Sequence, residues 1–187
     1  MHKRLFIAVK IHPSDVLLRK VAFLKSHLNR ELINWIRDDH YHITLRFLGK
    51  TPLRLIPKIE EALQKVAAQQ EDFLFRIHSV GVFGSAYKPT VLWLGIAEQQ
   101  LFGDLYKSLT DELNAMAYHA DGQNFIPHIS IARIKKIGDK KFFQMLLNKV
   151  DDSLIQTQQA GELILYESIL GSKGAEYQVV NSFKLRT

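Results

Sequence analysis

The 187-residue chain predicts an α+β fold built on antiparallel sheets and assembled from two related halves. Three observations carry that expectation. Strand-like and helix-like segments alternate loosely, and hairpin signals stand at the middle and at the end of the chain. A short pattern also recurs: histidine, one apolar residue, then a hydroxyl, first at His42-Ile43-Thr44 and again at His128-Ile129-Ser130, 86 residues later. The recurrence lies in motif and element order, not in general identity, and suggests a pseudo-symmetric duplication.

Each element follows from local chemistry. Leu5 to Ile11 (LFIAVKI) is β-branched and aromatic, a strand; Pro13-Ser14-Asp15 then starts a helix whose stripe is Val16, Val21, Leu24 and Leu28. Asn34 to Arg37 is a short strand and His42 to Leu48 a strong one, closed by Gly49. Thr51-Pro52 offers an N-cap and a first-turn proline for an amphipathic helix over Leu53 to Ala68. Phe73 to Phe83 and Thr90 to Ile96 are strands joined across GSAYKP, and Glu98 to Tyr118 is a third helix. His128 to Ile134 is a strand, followed by a helix at about Asp139 to Val150. Glu162 to Leu170 and Tyr177 to Leu185 close the chain as a hairpin across GSKGA. No linker or low-complexity run divides residues 1–187, so one domain is expected.

Composition narrows the function classes. The absence of cysteine removes disulfides, thiolate zinc sites and cysteine nucleophiles. The apolar run at the N-terminus is short and meets Lys10, unlike a signal peptide, and no run approaches the ~20 residues of a membrane span. A soluble, cytoplasmic protein is expected, with no membrane partner. The 25 Lys and Arg against 19 Asp and Glu leave a charge of +6, which suits a phosphate-bearing ligand without proving one. A plain lysine-rich surface explains the surplus equally well.

The chemistry concentrates in the recurring pattern. Strand parity sets His42 and Thr44 on one face and His128 and Ser130 likewise, with Ile43, Leu45, Ile129 and Ile131 turned to a core. Should the two strands lie side by side, a groove floor presents two imidazoles and two hydroxyls. One imidazole takes a proton from an attacking hydroxyl or water while the other gives one to the departing alkoxide, without need of a metal. The hydroxyls suit non-bridging phosphoryl oxygens. A structural or surface role is the commoner fate of a histidine on a strand, and residue types alone leave both open.

HITL at 42–45 and HISI at 128–131 resemble the paired motifs of the two-histidine (2H) phosphoesterases. RLFIAVKI, HITLRFLGKTP, VGVFGSAYKPTVLWLGI, FIPHISIARIK and LILYESILGSKGAEYQVVNSF extend the likeness nearly end to end. They resemble the RNA 2′,3′-cyclic phosphodiesterases, also called 2′-5′ RNA ligases. That resemblance implies a bilobal fold in which two antiparallel sheets face a central cleft, with helices packed outside and one motif from each lobe. It implies His42 as proton donor to the leaving 3′ oxygen and His128 as proton acceptor from water, a distinction on which spacing is silent. It implies Thr44 and Ser130 on the phosphate, a 2′-phosphate product and, run in reverse, 2′-5′ joining. Ser130 stands where threonine is commoner, and keeps the hydroxyl.

Arg46 shares parity with His42 and is expected on the phosphate. Arg133 matches the family's arginine after the second motif, yet strict alternation sets it with Ile129 and Ile131; only a bulge or strand end turns it inward. Phe83, Tyr87 and Phe125 are candidates for stacking a nucleobase, with core packing as the alternative for each. Trp93 is expected to pack, and His40 to lie in a loop. No cofactor and no metal are expected, the partners being RNA ends or nucleotides with a 2′,3′-cyclic phosphate, bound by a monomer. Three alternatives stay open: the same chemistry on a small cyclic nucleotide, a metal-dependent hydrolase using His40 and His42, and a non-catalytic RNA- or nucleotide-binding module.

Overall fold

A computed structural model describes residues 1–85, 87–116, 118, 125–150, 153–171 and 174–187. Ala86 within GSAYKP, His119, and Ser172 and Lys173 within GSKGA lie outside the described residues. The strands are β1 (His2–Lys10), β2 (Leu32–Trp35), β3 (His42–Pro52), β4 (Phe73–Ser85), β5 (Lys88–Ile96), β6 (His128–Lys136), β7 (Gln156–Ala160), β8 (Glu162–Gly171) and β9 (Gly174–Lys184). The helices are α1 (Asp15–His27), α2 (Ile56–Gln69), α3 (Gln99–Asn114) and α4 (Lys140–Lys149).

The strand order is β7-β4-β5-β6-β3-β1-β8-β9, antiparallel throughout, with β2 also on β6. Read outward from the centre, β3 corresponds to β6, β1 to β5, β8 to β4 and β9 to β7. Among the described residues, the two motif strands β3 and β6 pair at Ile43 with Ile129. These residues are themselves 86 apart, so the pseudo-two-fold axis passes between them. Farther along, β6 gives its edge to β2, and Ile36 N–H donates to the Ile131 carbonyl at 2.9 Å. The duplication and antiparallel halves expected from the sequence are therefore present, joined at a narrow seam.

The sheet is curled. Gln158 on β7 accepts from His12 N–H at 2.9 Å and donates to the Lys10 carbonyl at 2.7 Å, at the end of β1. Laid flat, β7 and β1 would stand five strand spacings apart, about 24 Å. Side-chain amides thus close a gap that backbone ladders leave open. Gln156 adds the Ser14 N–H at 2.7 Å and the His12 carbonyl at 2.9 Å. Sequence periodicity misses β7 because QTQQA has no apolar alternation; its polar residues bond across the closure instead.

The main core is one cluster containing residues of both halves, among them Ile7, Ile43, Leu63, Phe75, Phe102, Ile129 and Leu163. Helix α1 begins where expected, with Ser14 Oγ accepting from Leu17 N–H. Its stripe is shifted, however: Leu17, Val21, Leu24 and Leu28 are buried while Val16 faces solvent. Helix α2 starts later than the Thr51-Pro52 cap predicts. Thr51 is the last core position of β3, its hydroxyl donating to the Gly49 carbonyl, and a 3-10 turn over Leu53–Leu55 intervenes. Gly49 holds φ +65°, a left-handed conformation costly for other residues, and β3 runs on through it. Among the described residues no helix is long and apolar enough to cross a membrane.

Candidate functional site

Strands β3 and β6 repeat each other beyond their motifs. From His42 and from His128 the order of buried, half-buried and exposed positions is the same over seven residues. From the Ile43–Ile129 pair, antiparallel order sets His42 across from Ser130 and Thr44 across from His128. The two imidazoles then occupy the diagonal of a four-residue patch, about 7–8 Å between backbones. All four side chains are half-buried, whereas Ile43 and Ile129 beneath them are fully buried. The structure brings together these four residues as the parity of the motifs predicts.

Each imidazole is oriented in the same way. His42 Nδ1–H donates to the His40 carbonyl and His128 Nδ1–H to the Ile126 carbonyl, both at 2.7 Å. A carbonyl only accepts, so Nδ1 carries the proton in both rings and Nε2 is left to exchange one. Burial pushes the His42 pKa down to about 4, against the raising effect of its hydrogen bond, with Lys10, His40 and His128 lowering it further. Burial also lowers the His128 pKa, opposed by its bond to Ile126.

The arginines exchange places relative to strict alternation. In the β1–β3 ladder Ile7 faces Arg46 and Ala8 faces Thr44, so Leu45 is an extra residue. In the β5–β6 ladder Leu92 faces Ala132 and Trp93 faces Ser130, so Ile131 is extra. These matched bulges, again 86 apart, reverse the parity of the residues after them. Arg46 therefore turns to the core, 6% exposed, donating from Nη2 to the Tyr118 carbonyl at 2.7 Å with its guanidinium 6.0 Å from the Tyr106 ring centre. This corrects the expectation that Arg46 shares the His42 face. Phe47, which strict alternation would set with Ile43 and Leu45, is instead 66% exposed and 6.1 Å from Phe6. Arg133 is the counterpart of Phe47, is exposed, and is turned by the Ile131 bulge to the His128 side.

The aromatic candidates separate. Phe83 meets His128 edge-on at 4.7 Å. Tyr87 is 77% exposed in the β4–β5 turn, 5.9 Å from Lys140 Nζ. Phe125 stacks on Tyr106 at 4.5 Å, beside the buried Arg46 rather than beside a histidine. His40 ends a 3-10 turn over Asp38–His40, with Nε2 3.4 Å from Glu176.

Sequence reasoning passes over several residues that form the site. Lys10 is the cross-strand partner of His42, and its ammonium donates to the Asp39 carbonyl. Phe6, Ala8, Ile164, Tyr166 and Tyr177 make a second apolar cluster, with Phe6 5.0 Å and Tyr177 5.3 Å from His42. Trp93 faces Ser130 in its ladder, lies 5.4 Å from Phe83, and covers Gly81, where a Cβ would come within 2.3 Å of its ring. Strand β1 is buried on both faces, so LFIAVKI shows no alternation from which Phe6, Ala8 and Lys10 stand out. Of that set only the charge of Lys10 signals a different face.

Two curled half-sheets, each offering a histidine and a hydroxyl at a shared seam, define the class of two-histidine phosphoesterases. Comparison with known proteins agrees. A family model described as LigT like Phosphoesterase matches residues 9–93. A protein of Aquifex aeolicus named RNA 2′,3′-cyclic phosphodiesterase is 30% identical over 154 residues, 81% of each chain. One of that name from Thermotoga maritima is 28% identical over 178 residues, covering 95% of this chain and 92% of its own. The chain spans 47% of the length of a Geobacillus stearothermophilus relative, also so named, at 28% identity over 151 residues and 81% of this chain. The chain belongs to the LigT-like phosphoesterase family, that of the RNA 2′,3′-cyclic phosphodiesterases. Its fold matches the crystal structure of TT0787 of Thermus thermophilus with a TM-score of 0.80 at 22% identity, over 98% of each chain. Escherichia coli LigT complexed with 3′-AMP gives 0.73 at 20% identity over 100% of both chains. These two likenesses speak for the fold alone.

Proposed function

We propose that the protein hydrolyses RNA 2′,3′-cyclic phosphodiester ends to 2′-phosphomonoesters by acid–base catalysis at His42 and His128. Water attacks phosphorus and gives its proton to one Nε2. The P–O3′ bond breaks, and O3′ takes a proton from the other. Thr44 and Ser130 donate to the non-bridging oxygens, Arg133 balances their charge, and Phe83 lies against the substrate on the His128 side. The same site, with a 5′-hydroxyl attacking phosphorus in place of water and the P–O3′ bond breaking as before, joins ends as a 2′-5′ linkage. The two lobes act as one domain, as a monomer, in the cytoplasm. The observation that carries the reading is the matched Nδ1–H anchoring of the two rings, which frees both Nε2 atoms for proton transfer. The names of the relatives agree with it.

The test is product analysis with an RNA ending in a 2′,3′-cyclic phosphate. The expected product is the 2′-phosphate, formed equally in EDTA because imidazoles and hydroxyls supply the chemistry. His42→Ala and His128→Ala should each lose ~10²–10⁴ in rate. Retained hydrolysis in either variant would falsify two-histidine catalysis. Turnover of mononucleoside 2′,3′-cyclic phosphates far above that of oligonucleotides would identify a small cyclic nucleotide as the substrate instead.

By family resemblance His42 is the proton donor and His128 the acceptor. One observation favours the reverse: Lys10 stands beside His42, and Gly95 holds the equivalent place beside His128. A cation next to His42 disfavours the imidazolium there. A p-nitrophenolate leaving group decides between them, since it needs little protonation. It should rescue the variant lacking the acid and leave the variant lacking the base impaired.

A further inference from the structure

A cavity of about 390 Å³ opens off His42 on the side away from His128, between β1, β3, β8 and β9. We propose that this cavity is a nucleobase subsite, holding the base of the nucleoside attached to the reacting phosphorus on the His42 side. The inference rests on the phosphodiesterase reading and adds where the nucleoside goes.

Four features assign the ligand class. First, the volume falls within the range of ~300–1,000 Å³ that small-molecule sites occupy. Second, the wall next to the catalytic ring is aromatic and aliphatic: Tyr166, Tyr177 and Ile164 belong to the second apolar cluster, and Val179 extends it outward. Tyr177 is held edge-on to His42 at 89° and lies 4.7 Å from His40, so a sugar at the phosphorus reaches this wall at once. Third, the cations Arg37, His40 and Lys10 at the cavity are already engaged. Glu176 takes Arg37 at 2.9 Å and His40 at 3.4 Å, while Lys10 holds the Asp39 carbonyl. Fourth, Asp39, Glu162 and Glu176 all line it, and three carboxylates disfavour a phosphate while suiting the N–H edge of an uncharged base.

The cavity lies apart from the aromatic candidates picked out by sequence. Phe83 touches His128, Tyr87 lies by Lys140, and Phe125 stacks on Tyr106. An apolar wall beside His42 therefore complements Phe83 across the seam, so each histidine has aromatic surface of its own.

Direct binding tests the assignment independently of turnover. Isotope-labelled protein is titrated with adenosine 2′-phosphate and with methyl riboside 2-phosphate, which lacks the base. The expected result is a shift of the Tyr177 and Val179 resonances with the base-bearing ligand only, and a Val179→Trp variant, which fills the cavity from an exposed edge position, binding it about tenfold more weakly. In turnover, the ratio of kcat/KM for adenosine 2′,3′-cyclic phosphate over the base-free cyclic phosphate should fall by a similar factor in that variant. Shifts centred on Phe83 and Trp93 with Tyr177 and Val179 unmoved would overturn the proposal, as would equal binding of the two ligands. Either result can coexist with active His42 and His128, so the subsite and the phosphodiesterase reading fail separately.

Discussion

Lys10 stands directly across from His42 in the β1–β3 ladder, and both line the same cavity. Neighbouring His42 are also His40 on the adjoining turn, His128 across the seam, Tyr166 on β8 and Tyr177 on β9, with Asp39, Glu162 and Glu176 farther along the wall. Lys10 is one of the groups that lower the His42 pKa. Lys10→Met should therefore raise it, and Lys10→Arg should hold it low. Imidazole resonances followed across pH check this directly. An unmoved His42 titration in Lys10→Met would show that the ammonium's charge is screened from the ring.

Acidification should destabilise the protein through the same ring. An unfolded histidine binds its proton near pH 6.5, whereas folded His42 does so only at about 4. The unfolded state thus holds more protons between these values, and stability falls as pH drops from about 6.5 to about 4, by roughly 3 kcal/mol at most from this residue. The lowered pKa of His128 acts with the same sign. Urea unfolding at stepped pH should show a shallower slope over this window in His42→Gln than in the parent.

Arg46 and Arg133 should respond differently to truncation. Arg133→Ala, at an exposed position on the His128 side, is expected to cost ~10–10³ in kcat/KM while leaving the unfolding midpoint nearly unchanged. Arg46→Ala removes a buried donor to the Tyr118 carbonyl and leaves a gap beside Tyr106, so it should destabilise by ~1–4 kcal/mol. Chemical denaturation and steady-state kinetics on both variants check the pair. A purely kinetic defect in Arg46→Ala would contradict its core placement.

Gln158 should matter more than an amide on a short strand ordinarily does. Its side chain satisfies both the His12 N–H and the Lys10 carbonyl, at the closure of the curled sheet. Gln158→Leu leaves both backbone groups without that partner and should cost ~1–3 kcal/mol in urea unfolding. Gln158→Ala should behave alike, since the loss lies in the two hydrogen bonds and not in packing.

Most of the architecture is legible in the chain because apolar periodicity and turn chemistry are local. The strands carrying His42 and His128, the hairpins and the four helices all follow from patterns within a dozen residues, with ends displaced by a few positions. Where periodicity fails, the causes are tertiary. Strand β7 lacks an apolar face because it bonds through glutamine side chains. The Thr51-Pro52 cap yields to the burial of Thr51 in β3. The faces of Arg46, Phe47 and Arg133 depend on bulges at Leu45 and Ile131, which exist only in ladders with β1 and β5.

The order of residues alone determines the chemical inventory: two imidazoles and two hydroxyls, each pair on one strand face, repeated after 86 positions. It does so because strand parity is a property of the backbone. Whether the pairs share a patch was decided by the Ile43–Ile129 seam, and which side groups surround them by bulges and sheet curvature. Those depend on contacts between segments far apart in the chain, where no local periodicity reaches.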